Sequence, residues 1–424
     1  MENKIIDGIV KFYFIAVSVL MYCFLTEVID VGLYITYRHA FALLLAGMGI
    51  ICFLVKPDIG RGTVSAKSAL VYSAPLFVTF LVSLFIWFVN TVDTDVISRG
   101  LSSTFIYMNM LSFALAAAAM LYIFGEKGIW YNLAAILCAN LIMIGSIIAK
   151  NGIGAYFSEL AELILTFADK TGSVIVQAEI HELAFCLGAY LIYMLLKPKK
   201  GILYLVLFVL LMFCFLSAFK RIAMIAVVVA LAFGYLLKFV SKYSEKSAMR
   251  MTVFFTVLTI LILIGYVGAI KMNVFEMLEK MGIDTSGRVK IYKSVSDCYE
   301  FSPSFLGNGI GFLTYRLNSK MHIGVAAVHN DFLQYFIDLG FWGYILWLIS
   351  ITLTRVLYFG RKGKIQSAVT AFSLTLYLVI VSSTDNTMSY PLLTAVLAIL
   401  MIGDGYDKNV KETEVPFYEN SYGK

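Results

Sequence analysis

Charged residues are scarce in this sequence. Of its 424 residues, only 14% are Asp, Glu, Lys or Arg, whereas 60% are hydrophobic. Soluble domains carry about 25% charged residues, and the surface of a soluble domain cannot absorb so large an excess of apolar side chains. The composition therefore excludes an ordinary soluble globular domain and predicts a protein that is embedded in a lipid bilayer.

Residues that bind metals are also few and scattered. The chain has four histidines and six cysteines, with no CxxC pair and no spacing typical of metal ligands. The pair His181–Glu182 begins like a zinc-protease motif, but Phe185 stands where that motif needs its second histidine. We therefore predict no metal, no cofactor and no disulfide.

Long apolar runs, by contrast, are abundant. Each transmembrane helix needs roughly 20 apolar residues, and the runs lack the alternation typical of a β-barrel. We predict an all-α polytopic membrane protein with about 12 transmembrane helices. The predicted spans lie near residues 9–29, 40–55, 69–90, 104–124, 129–149, 181–196, 201–219, 222–240, 251–270, 342–358, 365–383 and 389–403.

The distribution of Lys and Arg predicts the orientation. The short connections at 197–200 and 360–364 are densely basic, as cytoplasmic loops are, and this places both termini in the cytoplasm. We read these basic clusters as orientation signals and not as nucleic-acid sites. The predicted membrane domain covers residues 1–403 and includes a large outer loop, 271–341, before the tenth span. Residues 404–424 are predicted to form a short, disordered cytoplasmic tail.

The interiors of the predicted spans carry almost no charge. The exceptions, Glu27, His181, Glu182 and Arg355, lie close to span ends. Ion-coupled transporters usually hold ionisable groups near the middle of the membrane. The pattern favours chemistry at the membrane surface, and a polysaccharide or lipid transporter is the more distant alternative.

Three short motifs follow one another between residues 285 and 343. They are Ser286-Gly287-Arg288, then Ser302-Pro303 with Gly307, Gly309 and Gly311, then His329-Asn330 with Leu333, Gln334, Asp338, Gly340 and Gly343. In this order they resemble the outer loop of the O-antigen ligase and oligosaccharide repeat-unit polymerase superfamily of bacterial membrane glycosyltransferases. That family also has a Ser-Arg pair at an earlier outer turn. Here Arg221 matches the arginine, while Lys220 replaces the serine and adds a positive charge.

The resemblance covers roughly the second half of the chain and implies an activity. It implies an enzyme of the bacterial cytoplasmic (inner) membrane that transfers an undecaprenyl-diphosphate-linked oligosaccharide onto a second lipid-linked repeat unit, without a metal. A chain-length regulator and a flippase are the protein partners that it implies. The near alternative is the ligase of the same superfamily, which transfers finished polysaccharide to lipid A core.

The predicted site residues suit this chemistry. Arginine recognises phosphate through a planar fork of donors, so Arg221 and Arg288, together with Lys220, are predicted to bind the donor diphosphate. His329 is predicted to be the general base on the acceptor hydroxyl, because an unperturbed imidazole titrates at a pKa of about 6.5. An outer-face arginine is more often a simple lipid-headgroup anchor, and only the order of the whole motif set argues otherwise.

The predicted site has further features around these residues. After His329 we expect an amphipathic segment with Phe332, Leu333, Phe336 and Leu339 on one side, Asp331 and Asp338 elsewhere, and a bend at Gly340 and Gly343. The turn with Gly307, Gly309 and Gly311 is predicted to be flexible, since no phosphate-loop sequence follows it. Weaker candidates for the site are Arg316 in the outer loop, and Arg38 and Asp385 at other outer turns. For Arg316, as for Lys290 and Lys293 in the same loop, exposure to solvent is the simpler explanation of the charge.

Overall fold

The structure is a computed structural model that describes residues 2–23, 36–90, 92, 94–167, 173, 175, 181–282, 287–317, 328–360 and 365–414. Within these ranges the chain is helical and contains no β-strand. The helices are, in chain order, α1 (Glu2–Tyr22), α2 (Thr36–Val55), α3 (Ile59–Tyr72), α4 (Ala74–Val89), α5 (Thr94–Phe124), α6 (Lys127–Asn151), α7 (Ile153–Thr166), α8 (His181–Leu196), α9 (Ile202–Ser217), α10 (Arg221–Tyr243), α11 (Glu245–Lys271), α12 (Val274–Lys280), α13 (Arg288–Val295), α14 (Phe312–Arg316), α15 (Asp331–Ile351), α16 (Leu353–Gly360), α17 (Ile365–Ser382), α18 (Pro391–Gly403) and α19 (Tyr406–Glu414). Short 3₁₀ turns follow α13 at Ser296–Cys298 and α17 at Thr387–Ser389.

Many of these helices are apolar enough to cross a membrane. Among the described residues, six helices are long and apolar enough to cross a membrane, and α3 and α4 counted together would form a seventh span. Four further apolar helices, which include α9 and α18, are shorter. Every predicted span overlaps a helix, so the prediction of an all-α polytopic membrane protein is confirmed. The predicted span at 69–90 is bent by 49° where Ser73 separates α3 from α4.

The chain forms two compact units. The first contains residues 1–70, 112–236 and 390–424, and the second contains residues 71–111 and 237–389. In the first unit, buried polar groups join helices within the apolar core. The Tyr190 hydroxyl of α8 donates to Oδ1 of Asn132 in α6 at 2.8 Å, and the Asn132 amide donates to the Tyr22 hydroxyl of α1 at 3.0 Å. Such pairing removes the cost of burying these groups in a membrane core.

The second unit is organised around α15, which packs against α4 and α11. In the same unit, the buried Arg355 of α16 donates through Nε and Nη2 to the Tyr72 carbonyl, at 3.2 and 2.7 Å. That carbonyl ends α3 and has lost its helical partner at the break, so the arginine satisfies an acceptor that the bend leaves open.

The start of the predicted tail is not disordered. Residues 406–414 form α19, which packs within the first unit. Tyr406 is fully buried, and its hydroxyl lies 2.7 Å from Oγ of Ser65 and donates to the Arg61 carbonyl at 3.1 Å. Burial of the Tyr406 ring stabilises this helix and offsets the conformational entropy that the polar segment loses on folding. The prediction of disorder was therefore wrong for 406–414, and residues 415–424 lie outside the described residues.

Candidate functional site

The start of α15 turns one polar side chain outward and its neighbours inward. Val328 and Asn330 are fully buried, whereas the side chain of His329 is half exposed. His329 has a φ of 52°, in the left-handed region that non-glycine residues seldom adopt. Asn330 caps the helix, because its side-chain oxygen accepts from the Leu333 amide at 3.1 Å. The local backbone thus fixes the imidazole at the surface of the second unit, just ahead of the helix.

The amide of Asn330 ties this position to two other helices. Its Nδ2 donates to the hydroxyl of Tyr266 in α11 and to the hydroxyl of Tyr292 in α13, both at 3.0 Å. Asn330 therefore both caps α15 and sets the position of His329 relative to α11 and α13. These hydrogen bonds explain why asparagine is suited to the position that follows the histidine.

Three consecutive residues after α17 each hold a different group of the site. The Ser383 carbonyl accepts from the Tyr266 hydroxyl at 2.9 Å, and the Thr384 carbonyl accepts from Nη2 of Arg288 at 2.9 Å. Oδ1 of Asp385 lies 3.8 Å from Nδ1 of His329. The turn at 383–385 thereby brings Arg288 and His329, which the sequence separates by 41 positions (329 − 288), to one place in the second unit.

This cluster, the 383–385 site, brings a guanidinium and an imidazole to one turn. Nε of Arg288 is buried and makes no hydrogen bond to any described residue. Asp385 is mostly buried, and its Oδ1 also accepts from the Asn386 amide at 2.9 Å. At 3.8 Å its carboxylate is beyond hydrogen-bond length from Nδ1 of His329.

Asp338 organises the glycine-rich turn. Its two carboxylate oxygens accept from the amides of Gly311 and Leu313 at 3.2 and 3.1 Å, and its carbonyl accepts from Gly309 at 2.7 Å. Gly307, Gly309 and Gly311 all have φ between 85° and 90°, so the turn is left-handed at each glycine. The turn was correctly predicted, but it is pinned by Asp338 instead of being flexible, because these hydrogen bonds satisfy its amides.

Helix α15 is kinked where the sequence predicted a bend. Gly340 has a φ of 71° and a ψ of −179°, which interrupts the helix, and the amide of Phe341 donates to the Phe305 carbonyl at 2.9 Å. Four apolar residues that precede the kink are buried as expected: Phe332, Leu333, Phe336 and Leu339.

The two aspartates of this segment do not lie on a polar face. Asp331 and Asp338 are both almost fully buried. Asp331 accepts through Oδ2 from the Met388 amide at 2.9 Å, as Asp338 accepts from the glycine turn. Placing them away from the packed side was therefore wrong. The backbone amides of neighbouring turns satisfy their carboxylates, which a helical wheel does not show.

Other candidate residues in the second unit have different surroundings. Arg316 ends α14, and its Nε is buried without a hydrogen bond among the described residues. Nζ of Lys293 lies 2.8 Å from Oε2 of Glu276, and this contact, with Lys280 at 3.1 Å, holds the pKa of the Glu276 carboxyl below its usual range. Burial raises the pKa of the Cys298 thiol, while Arg316 acts in the opposite direction. Ser286, the first residue of the Ser-Gly-Arg motif, lies outside the described residues.

The remaining candidates belong to the first unit. Nη1 of Arg38 lies 2.7 Å from Oε2 of Glu182, both side chains are buried, and Oε1 of Glu182 accepts from the Leu392 amide at 2.8 Å. This ion pair gives Arg38 and Glu182 a packing role. Arg221 begins α10, and the Lys220 ammonium lies 5.8 Å from the ring centre of Phe185. The turn with Lys220 and Arg221 stays a predicted phosphate site.

Sequence reasoning did not identify Tyr266, Tyr292 or Thr384. Tyr266 lies inside an apolar run and Tyr292 in a polar loop, and neither belongs to a recognisable motif. Thr384 acts through its backbone carbonyl, which no sequence pattern identifies. Asp385 was one of several weak candidates, and only the fold separates it from the others.

A comparison with known families finds a match to part of the chain. The family model described as O-Antigen ligase matches residues 206–348, about a third of the chain. The matched range contains Lys220, Arg221, Arg288 and His329. It confirms the resemblance of this segment to the O-antigen ligase and polymerase superfamily. The apolar helices make the protein a multi-pass membrane protein. A search of curated proteins finds no match to the chain.

Proposed function

We propose that the protein polymerises lipid-linked oligosaccharide repeat units on the outer face of the bacterial cytoplasmic membrane. The donor would be an undecaprenyl-diphosphate-linked oligosaccharide and the acceptor a second lipid-linked unit. The observation that carries the proposal is the 383–385 site, in which Arg288 and the half-exposed His329 lie against one turn. The family match to residues 206–348 supports the same class of chemistry.

In the proposed reaction His329 takes the proton from the acceptor hydroxyl. Its Nδ1 faces Asp385, which leaves Nε2 for the hydroxyl, and the carboxylate stabilises the imidazolium that forms. The acceptor oxygen forms a bond to the anomeric carbon of the donor, and the bond between that carbon and the diphosphate breaks. The electron pair leaves with undecaprenyl diphosphate, and the proton remains on His329 until solvent removes it.

Arg288 would stabilise the leaving group. Negative charge accumulates on the diphosphate as the sugar–phosphate bond breaks, and a preorganised donor lowers the barrier at that point. Nη2 of Arg288 is already bound to the Thr384 carbonyl, which fixes the guanidinium plane, while Nε lacks an acceptor within the described part of the chain. Lys220 and Arg221 are proposed to bind a diphosphate group of a lipid-linked substrate, and we propose that the reaction needs no metal.

The first experiment tests the base. Purified protein in detergent is given a synthetic undecaprenyl-diphosphate repeat unit, and the products are separated by gel electrophoresis. We expect His329→Ala to lower kcat by about 10²- to 10⁴-fold, the usual contribution of a general base. Lys290→Ala, at an exposed position of α13, is the control and should retain activity. Normal polymer from the His329 variant would refute the assignment.

The alternative functions make different predictions. The matching family is described as a ligase, and a ligase would leave long polysaccharide on the lipid carrier when the gene is deleted. Loss of a polymerase would instead leave single repeat units. A transporter would show no chain elongation in detergent, where no gradient exists, so elongation by the purified protein would exclude it.

The proposed orientation can be tested separately. With both termini in the cytoplasm, Lys290→Cys should react with a membrane-impermeant maleimide on intact spheroplasts. Lys67→Cys, in the predicted cytoplasmic segment after the second span, should react only after lysis. The reverse labelling pattern would place the 383–385 site on the cytoplasmic side and would contradict the use of a translocated donor.

A further inference from the structure

Helix α7 presents three different surfaces around its circumference. With 100° between successive residues, Tyr156, Leu160 and Leu163 share one side, and all three are buried in the first unit. The next sector holds Ile153, Phe157, Ile164 and Leu165, whose exposed fractions are 64%, 45%, 41% and 85%. The last sector is polar and holds Ser158, Glu159, Glu162 and Thr166.

This pattern differs from that of a spanning helix. A helix of 14 residues is about 21 Å long, which is shorter than the hydrocarbon core of a bilayer. It carries two glutamates on one side, which hydrocarbon would not tolerate. An apolar sector beside a polar sector is typical of a helix that lies in the plane of the interface.

The exposed apolar sector continues a surface that faces lipid. The ring of Phe157 lies 6.4 Å from the ring of Phe213 in α9, one of the shorter apolar helices of the first unit. Along α9, Val206 and Val209 are 47% and 57% exposed, as expected of side chains that contact acyl chains. The apolar sector of α7 therefore contacts the same bilayer, at the edge of its hydrocarbon region.

The end of α7 touches the turn that precedes α10. Phe167 follows the helix in a left-handed conformation, and its ring contacts the ring of Phe219 edge-on at 6.3 Å. Phe219 directly precedes Lys220 and Arg221. A helix that rests in the interface would in this way set the depth of both cations.

We propose that α7 lies flat in the membrane interface, with Ile153, Phe157, Ile164 and Leu165 in the upper acyl region, and that it holds the Lys220–Arg221 turn at the level of the lipid headgroups. The binding partner is a phospholipid surface. The proposal concerns membrane seating and does not depend on which glycosyl transfer the protein performs.

The depth of the helix can be read from added tryptophans. Full-length Phe157→Trp and Glu162→Trp proteins are placed in phosphatidylcholine–phosphatidylglycerol nanodiscs, and the emission of the four native tryptophans is subtracted by using the parent protein. We expect phospholipids brominated high on the acyl chain to quench most of the emission added at 157, with little quenching by aqueous iodide. Position 162 should show the reverse.

Two results would overturn the proposal. Strong iodide quenching at both positions, without bromolipid quenching, would mean that α7 is a loop helix in water. Strongest quenching at 157 by lipids brominated near the bilayer centre would mean that the helix inserts deeply.

The link to the turn has its own test. In a Lys220→Trp protein, bromolipid quenching of the added emission should fall when Phe157→Asp is introduced, because the helix would leave the interface. Ser158→Asp, on the polar sector of the same helix, is the control and should leave the quenching unchanged. Equal quenching in all three proteins would show that α7 does not set the depth of the turn.

Discussion

Nδ1 of His329 lies 3.8 Å from Oδ1 of Asp385, and the residue before Asp385 accepts a hydrogen bond from Arg288 through its carbonyl. A turn of three residues thus connects the proposed base to the proposed diphosphate ligand. The imidazole is half exposed while the carboxylate is nearly buried, so the acid is fixed and the base remains accessible to substrate. The predictions below follow from this arrangement and from the contacts that hold it.

Loss of the Asp385 charge should slow the chemical step. Asp385→Asn keeps the size of the side chain but removes the negative charge that stabilises protonated His329. We expect kcat to fall by about 10²-fold with little change in KM, because the group orients and stabilises the base without touching substrate. Steady-state kinetics on a lipid-linked donor would measure this. Asp297→Asn, at an exposed aspartate of the same unit, is the control. A rise in KM with unchanged kcat would instead make Asp385 a substrate ligand.

Arg288→Lys should be nearly as harmful as Arg288→Ala. A lysine keeps the positive charge but cannot bind the Thr384 carbonyl and a phosphate oxygen with one planar group. Removal of a preorganised donor typically lowers kcat by about 10²- to 10³-fold. Kinetics with the intact donor would show the loss, and folding would be checked by thermal unfolding in detergent. Full activity of the lysine variant would mean that charge alone is needed at this position.

Asn330→Ala should destabilise the second unit more than loss of a helix cap alone. The variant loses the cap of α15 and both hydrogen bonds to Tyr266 and Tyr292. We expect about 2–3 kcal/mol, since an exposed cap contributes about 1 kcal/mol and buried hydroxyls lose a donor. Ser244→Ala, which removes only the exposed cap of α11, is the matched control. Thermal unfolding in detergent compares the two, and equal losses would mean that the tyrosine contacts contribute nothing.

Gly340→Ala should disrupt the kink of α15. At a φ of 71° a Cβ atom is strained, and here it would also collide with the backbone of Leu306. We expect a loss of about 3 kcal/mol, because neither backbone segment can move without breaking the glycine turn. Gly265→Ala, within α11, is the control, since nothing lies within 4 Å of its added Cβ. Unfolding temperatures that match between the two variants would show that the kink is adaptable.

The helices and much of the site were predictable from local properties of the chain. Apolar runs long enough to cross a bilayer identify the spans without reference to any contact, because the solvent itself imposes their length. His329 and Arg288 were identified by their order in a recognisable motif set. The bend at Gly340 was also predicted, since glycine is the residue that tolerates such a conformation.

Several local predictions failed where distant segments make contact. Polar composition suggested a disordered end, yet Tyr406 is buried against residues that precede it by more than 300 positions. Asp331 and Asp338 were placed away from the packed side of the helix, but turns elsewhere in the second unit supply amides for their buried carboxylates. Helix α7 lies between the predicted spans 129–149 and 181–196, and its sectors became visible only when burial separated Tyr156 from Phe157.

The sequence by itself determined that the protein lies in a lipid bilayer, where its spans are, and which residue types could carry the proposed chemistry. Each of these follows from composition or from short-range spacing. Tertiary structure alone decided that Asp385 faces His329, that the Thr384 carbonyl orients Arg288, and that Tyr266 joins the same turn. These contacts join α11, α13 and α15 to the turn after α17. They depend on the packing of those helices, and no local pattern in the chain encodes it.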